Sequence, residues 1–175
     1  MISDRRLKEA EMNLKRYFEE DLIKKTDDNV ALDIIYRNSS ESLRAASVLI
    51  KEDISLWAIV ASYYCMFYIA SAVLLKKGYK TTGKIVHKVV SDALIVLVRP
   101  ELKENLIDDY ESIQEEALRI AEVRADDLVQ NFEYERIKRG NIQYNTPKED
   151  ITSKAKTSLE RAKEFLFEME KILSR

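Results

Sequence analysis

Ile54-Ser-Leu-Trp-Ala-Ile-Val-Ala-Ser-Tyr-Tyr-Cys-Met-Phe-Tyr-Ile-Ala-Ser-Ala-Val-Leu-Leu75 runs for twenty-two residues without a charge, and Lys76-Lys77 close it. About twenty apolar residues suffice for a membrane-spanning helix, so length alone admits that reading. Ser62, Tyr63, Tyr64, Tyr68 and Ser71 argue against it, because a spanning helix keeps its tyrosines near the two interfaces. A helix buried on all sides by other helices carries the same pattern. The run is therefore read as the central helix of a core, and the segments around it must cover it.

Those segments are helical by their periodicity. Before the run, Ile34, Leu43, Ala46, Leu49 and Ile50 recur at helical spacing over about Val30 to Lys51. Earlier still, Leu7, Ala10, Leu14, Tyr17 and Phe18 share a face of a helix from about Asp4 to Lys24. Thr26-Asp27-Asp28-Asn29 separates the two and offers capping oxygens. After the run, Gly78 is placed as the residue past a helix C-terminus. A short helix over about Lys84 to Val98 stops at Pro100, and a long polar one covers about Leu102 to Lys138. The start of the last helix reads from Thr146-Pro147-Lys148-Glu149: a capping threonine, proline at the first position and glutamate at the third. Ile151, Ala155, Leu159, Ala162, Leu166, Met169 and Leu173 then mark its apolar stripe. The expected fold is all-α, an antiparallel up-and-down bundle of five or six helices. Residues 1–25 are expected as a helical extension packed on a bundle over 28–175.

Composition agrees. The chain has 175 residues, 46% hydrophobic and 34% charged, with 3 glycines and 2 prolines. A β-sandwich or barrel needs turn residues at short intervals, and these are too few. Net charge is −2, so no global cationic field marks a nucleic-acid or membrane binder. The single cysteine, Cys65, cannot form an intramolecular disulfide and suits a reducing compartment. Met1-Ile-Ser-Asp-Arg-Arg-Leu-Lys-Glu has no apolar stretch of a secretion signal, so the cytoplasm is expected.

Metal chemistry fails by counting. A di-iron bundle wants two Glu-x-x-His pairs, whereas the chain has one histidine, His87, preceded three positions earlier by Lys84. A structural zinc site lacks its ligands equally, and no metal or cofactor is expected. No serine sits in a glycine-flanked nucleophile elbow, and three glycines cannot form a phosphate loop. Two polar constellations remain. Lys76, Lys77, Lys80, Lys84 and Lys88 surround His87 with no acid between Leu75 and Ser91. They read either as a phosphate-steering cluster or as a solvated face, and His87 as a structural or a functional histidine. Glu135-Arg136-Ile-Lys138-Arg139-Gly-Asn141-Ile-Gln-Tyr144 reads either as a phosphate-holding arginine site or as cations complementing a helix end.

The sequence resembles the HEPN superfamily. Ser42-Leu-Arg-Ala-Ala-Ser-Val-Leu-Ile, followed by Ala61-Ser-Tyr-Tyr-Cys-Met-Phe-Tyr-Ile-Ala-Ser-Ala-Val-Leu-Leu-Lys-Lys-Gly78, looks like the first two core helices of its prokaryotic branch. His87 after the glycine, the Arg139-x4-Tyr144 segment and the last helix follow in the family's order, over roughly Asp28 to Arg175. The resemblance implies a homodimer, often with a minimal nucleotidyltransferase partner in a toxin–antitoxin pair. Active members are metal-independent ribonucleases using Arg-x4-6-His. Carried over, the arginine is Arg139 and the histidine position holds Tyr144. Tyrosine titrates near pH 10 and is a poor general base at neutral pH. The resemblance therefore implies a non-catalytic or weakly active module binding RNA, a nucleotide or a partner. Arg136, Lys138, Asn141 and Lys84 are its binding candidates. The alternative is a ribonuclease toxin using Arg139 with Tyr144 or His87.

Overall fold

The computed structural model describes the backbone of residues 2–27, 30–134 and 148–175, and the side chains of 2–27, 30–121 and 150–175. Helix α1 spans Asp4–Glu19, α2 Leu32–Lys51, α3 Ser55–Lys76, α4 Val86–Ala93, α5 Glu104–Tyr134 and α6 Lys148–Leu173. Two short strands, β1 Ile23–Lys25 and β2 Tyr79–Thr81, pair antiparallel. The expected helical bundle is what forms.

The uncharged run is α3, and protein surrounds it. Fifteen of its side chains are buried, from Ser55 and Ala58 to Leu75, so apolar burial rather than lipid satisfies them. Each large buried aliphatic or aromatic side chain contributes about 2 kcal/mol. Contacts at the helix ends give the directions. Ser55 Oγ lies 3.2 Å from Thr152 Oγ1, so α3 and α6 run parallel. The Tyr36 hydroxyl donates to Glu170; Lys103, just before α5, pairs with Glu168 and Asp109 with Arg161, so α6 runs against both α2 and α5. The chain thus goes up and down through α2, α3, α5 and α6. The parallel pair α3 and α6 closes across the middle.

Two expectations need correction. Helix α1 stops at Glu19 instead of continuing to Lys24. Asp21 takes a left-handed φ of 57°, and the Leu22 N–H donates back to Tyr17 O at 2.9 Å. The chain then extends into β1, which lets Ile23 reach the core with no exposure. A helix through this segment would forfeit the ribbon with β2. On α2 the core face is carried by Leu32, Ile35, Leu43, Ala46, Leu49 and Ile50, while Ile34 is 53% exposed. Ile35, Ser39 and Ala46 keep the three-to-four spacing toward α3, and Ile34 lies off that stripe.

Past α3, Gly78 adopts φ 84° as the expected C′ residue. Helix α4 widens into a π turn over Leu94–Val98, followed by a tight turn at Arg99–Glu101 that includes Pro100. Proline lacks the N–H that would continue the helix. Helix α1 packs against α4 and this π turn, and Ala10, Leu14 and Tyr17 join the common core.

Candidate functional site

His87 sits in the first turn of α4, where it meets α3 and α5. Its Nδ1 lies 2.7 Å from the Tyr63 hydroxyl. The Gln114 side-chain amide on α5 donates to that hydroxyl at 3.1 Å and to the His87 carbonyl at 2.9 Å. A carbonyl can only accept, which fixes the Gln114 nitrogen toward it. The Tyr63 oxygen accepts from Gln114 and is free to donate to Nδ1, leaving the ring proton of neutral His87 on Nε2. The Phe67 ring lies 4.5 Å from the imidazole, with Tyr63 at 5.6 Å and Tyr64 at 5.9 Å. Burial among these rings lowers the His87 pKa, because the charged imidazolium loses solvation. Burial raises the Tyr63 hydroxyl well beyond the ordinary tyrosine range, so it stays protonated and can donate. The arrangement is a neutral histidine held by one nitrogen.

One turn further along α4 lies a second polar cluster, which ties α1 to the bundle. Asp92 is fully buried. Its Oδ2 accepts from the Tyr17 hydroxyl at 2.8 Å and from Asn13 at 3.0 Å, while Oδ1 pairs with Arg6 Nη1 at 2.7 Å. Arg6 also forks onto Glu111 Oε1 through Nε at 3.0 Å and Nη2 at 2.7 Å, and Ser91 donates to the same oxygen at 3.1 Å. Burial opposes the Arg6 charge, but the bonds to Glu111 and Asp92 outweigh it and raise its pKa. Burial and the Asp92 bond push the Tyr17 hydroxyl up to about 12. A surface hollow of about 410 Å³ opens beside the cluster, lined by Arg6, Lys88, Ser91, Glu111, Gln114 and Glu115 among others.

Of the residues singled out from sequence, His87 is half-buried at the start of α4 and Lys84 is exposed in the turn before it. Arg136, Lys138, Arg139, Asn141 and Tyr144 lie outside the described residues. Sequence reasoning did not assign Tyr63 and Gln114 as His87's partners, nor the Arg6–Asp92–Glu111 cluster. One signal was present. Asp92 interrupts the apolar run Val89-Val90-Ser-Asp-Ala-Leu-Ile-Val, and a lone acid there must be paired if the run is buried. Its partners come from α1, seventy-five or more positions away, and nothing local names them.

Residues 33–174 match the sequence model of the family described as HEPN domain. No curated protein matches the chain.

Proposed function

The chain belongs to the HEPN family, which its match over residues 33–174 shows, and from that premise we propose a binding role rather than efficient catalysis. In this reading it is a non-catalytic or weakly active module, of a toxin–antitoxin or nucleotide-linked system, that engages RNA, a nucleotide or a partner through the Arg139–Tyr144 region. One reading of the sequence carries it: by the family resemblance the histidine position falls on Tyr144, and the chain's single histidine, His87, lies outside that motif in the sequence. His87 accepts from Tyr63 at Nδ1 and rests its ring against Phe67. Loss of general acid–base help costs about 10²–10⁴ in rate. The reading carries with it a homodimer in the cytoplasm and a minimal nucleotidyltransferase as partner.

The test is a metal-free RNA-cleavage assay beside thermal-shift titrations with RNA and nucleotides at low salt. The expected result is no cleavage above background and a shift on ligand addition that Arg139→Ala abolishes. Metal-independent cleavage by the wild type, lost in Arg139→Ala, would establish the ribonuclease alternative instead. Absence of any shift would reject nucleotide and RNA binding.

A further inference from the structure

Helix α3 is buried almost all round, and its one open seam is regular. From Ala58 to Leu75 every residue is buried except Ala61, Tyr64, Tyr68 and Ser71. Ile54 and Trp57, 43% and 45% exposed, carry the seam back past the start of the helix. The six positions stand three, four, three, four and three residues apart, so they follow one side of α3. None carries a charge, whereas the exposed side of α2 holds Asp33, Arg37, Glu41, Arg44 and Lys51. The central ring is held in place. Tyr64 packs against Tyr63 at 5.7 Å, Tyr68 at 5.9 Å, Phe67 at 6.2 Å and His87 at 5.9 Å. A fixed, uncharged aromatic surface can be covered without burying a charge and with little loss of side-chain freedom.

The seam reads the same in both directions. About a point between Ser62 and Tyr63, Ile54 mirrors Ser71, Trp57 mirrors Tyr68 and Ala61 mirrors Tyr64. A two-fold axis through that point lays α3 antiparallel on the α3 of a second copy and makes every mirrored pair a contact. The shapes suit one another. Tyr64 of each copy covers the small Ala61 of the other, which lets the helices close to about 8–10 Å. Trp57 meets Tyr68 ring to ring, and Ile54 meets Ser71 at the ends. We propose that this seam is the interface of a homodimer whose two α3 helices pack antiparallel in that register. An unlike partner would place no such palindromic demand on the spacing. Because the seam is neutral, like meets like without repulsion, and a net charge of −2 keeps the copies from repelling strongly. The interface rests on the homodimer of the proposed function and gives it a surface and a symmetry; it uses no residue of the Arg139 region. Six side chains per copy make a small contact, of the class below about 1,200 Å², so the pair is a reversible one.

Trp57 is the chain's single tryptophan, so its emission reports on the seam directly. Sedimentation velocity and Trp57 fluorescence are followed on the full chain from about 1 to 500 µM, a range that brackets the affinity of a small interface. The expected result is a monomer–dimer equilibrium with Kd of about 1–100 µM and a blue shift of Trp57 emission over the same range. Trp57→Lys and Tyr68→Glu are each expected to raise Kd about tenfold or more, because each brings an unpaired charge into the seam. An equimolar mixture of the two variants is expected to recover at least about fivefold of that loss. Only this register sets position 57 of one copy against position 68 of the other. Phe167→Lys, at a 57% exposed position on α6, is expected to leave Kd within about twofold of wild type. A monomer throughout the range, or a dimer that leaves Trp57 emission unchanged, would overturn the proposal, and neither result depends on a variant folding. Failure of two folded variants to pair on mixing would overturn the register. A dimer formed through another surface removes the seam but not the homodimer of the proposed function. Arg139→Ala separates the rest: a seam dimer that survives it stands even where ligand binding through Arg139 fails.

Discussion

At the scale of single residues, a buried carboxylate and a half-buried histidine carry most of the electrostatic consequence. Asp92 ends with a charge inside the bundle and is tolerated because Arg6, Tyr17 and Asn13 all address it. Removing one partner of a buried pair costs about 3–5 kcal/mol. Arg6 keeps some solvent contact, so Arg6→Met is expected at the lower end, about 3 kcal/mol, read by urea denaturation. Tyr17→Phe removes one hydrogen bond to a charged acceptor and is expected to cost about 2 kcal/mol. His87 supplies the pH dependence. Its folded pKa lies below the ordinary value near 6.5, so the unfolded chain binds its proton first on acidification. Stability is thus full above about pH 6.5 and falls as pH drops from there toward the folded pKa. A histidine resonance titrating at or above 6.5 would contradict the half-buried, neutral ring. Cys65 is equally informative: burial pushes its thiol up to about 12, so thiol reagents are expected to leave it unmodified until the protein unfolds.

At the scale of elements, most helices were legible and the ribbon was not. The helices announce themselves through apolar spacing and punctuation: Ser3 accepts from the Arg6 N–H to cap α1, and Gly78 ends α3. Ile23-Lys-Lys offers no comparable signal, since one apolar residue beside two lysines fits the end of a helix as well as a strand. Pairing with a segment fifty-six positions later decides the matter. The turn after β2 depends on Gly83. At φ 96°, a side chain there is strained, and its Cβ would stand 2.7 Å from Leu22 Cδ2. Gly83→Ala is expected to cost about 1–3 kcal/mol, checked by thermal unfolding. Ser40→Ala, at an exposed helical position, is expected to be neutral or mildly stabilising.

At the scale of the whole molecule, α1 belongs energetically to the bundle although the family match begins only at residue 33. Ala10, Leu14, Tyr17 and Ile23 are buried in the common core, and Asp92 loses three partners without α1. Deleting residues 1–27 is expected to abolish cooperative unfolding or lower Tm by more than 10 °C. A truncated chain that melts like the full one would show that α1 is dispensable. The uncharged run at Ile54–Leu75 determined by itself that a central helix exists, because twenty-two residues without charge leave few alternatives to burial. The regular spacing around it determined that helices would cover it. Tertiary structure alone decided that Ile35 rather than Ile34 packs on the core. It also decided that His87 meets Tyr63, that Asp92 meets Arg6, and that Lys24 stands across from Lys80. The physical reason is common to all four. Periodicity is a local property of the chain, whereas partners for buried polar groups and cross-strand neighbours come from segments brought together only when the core closes.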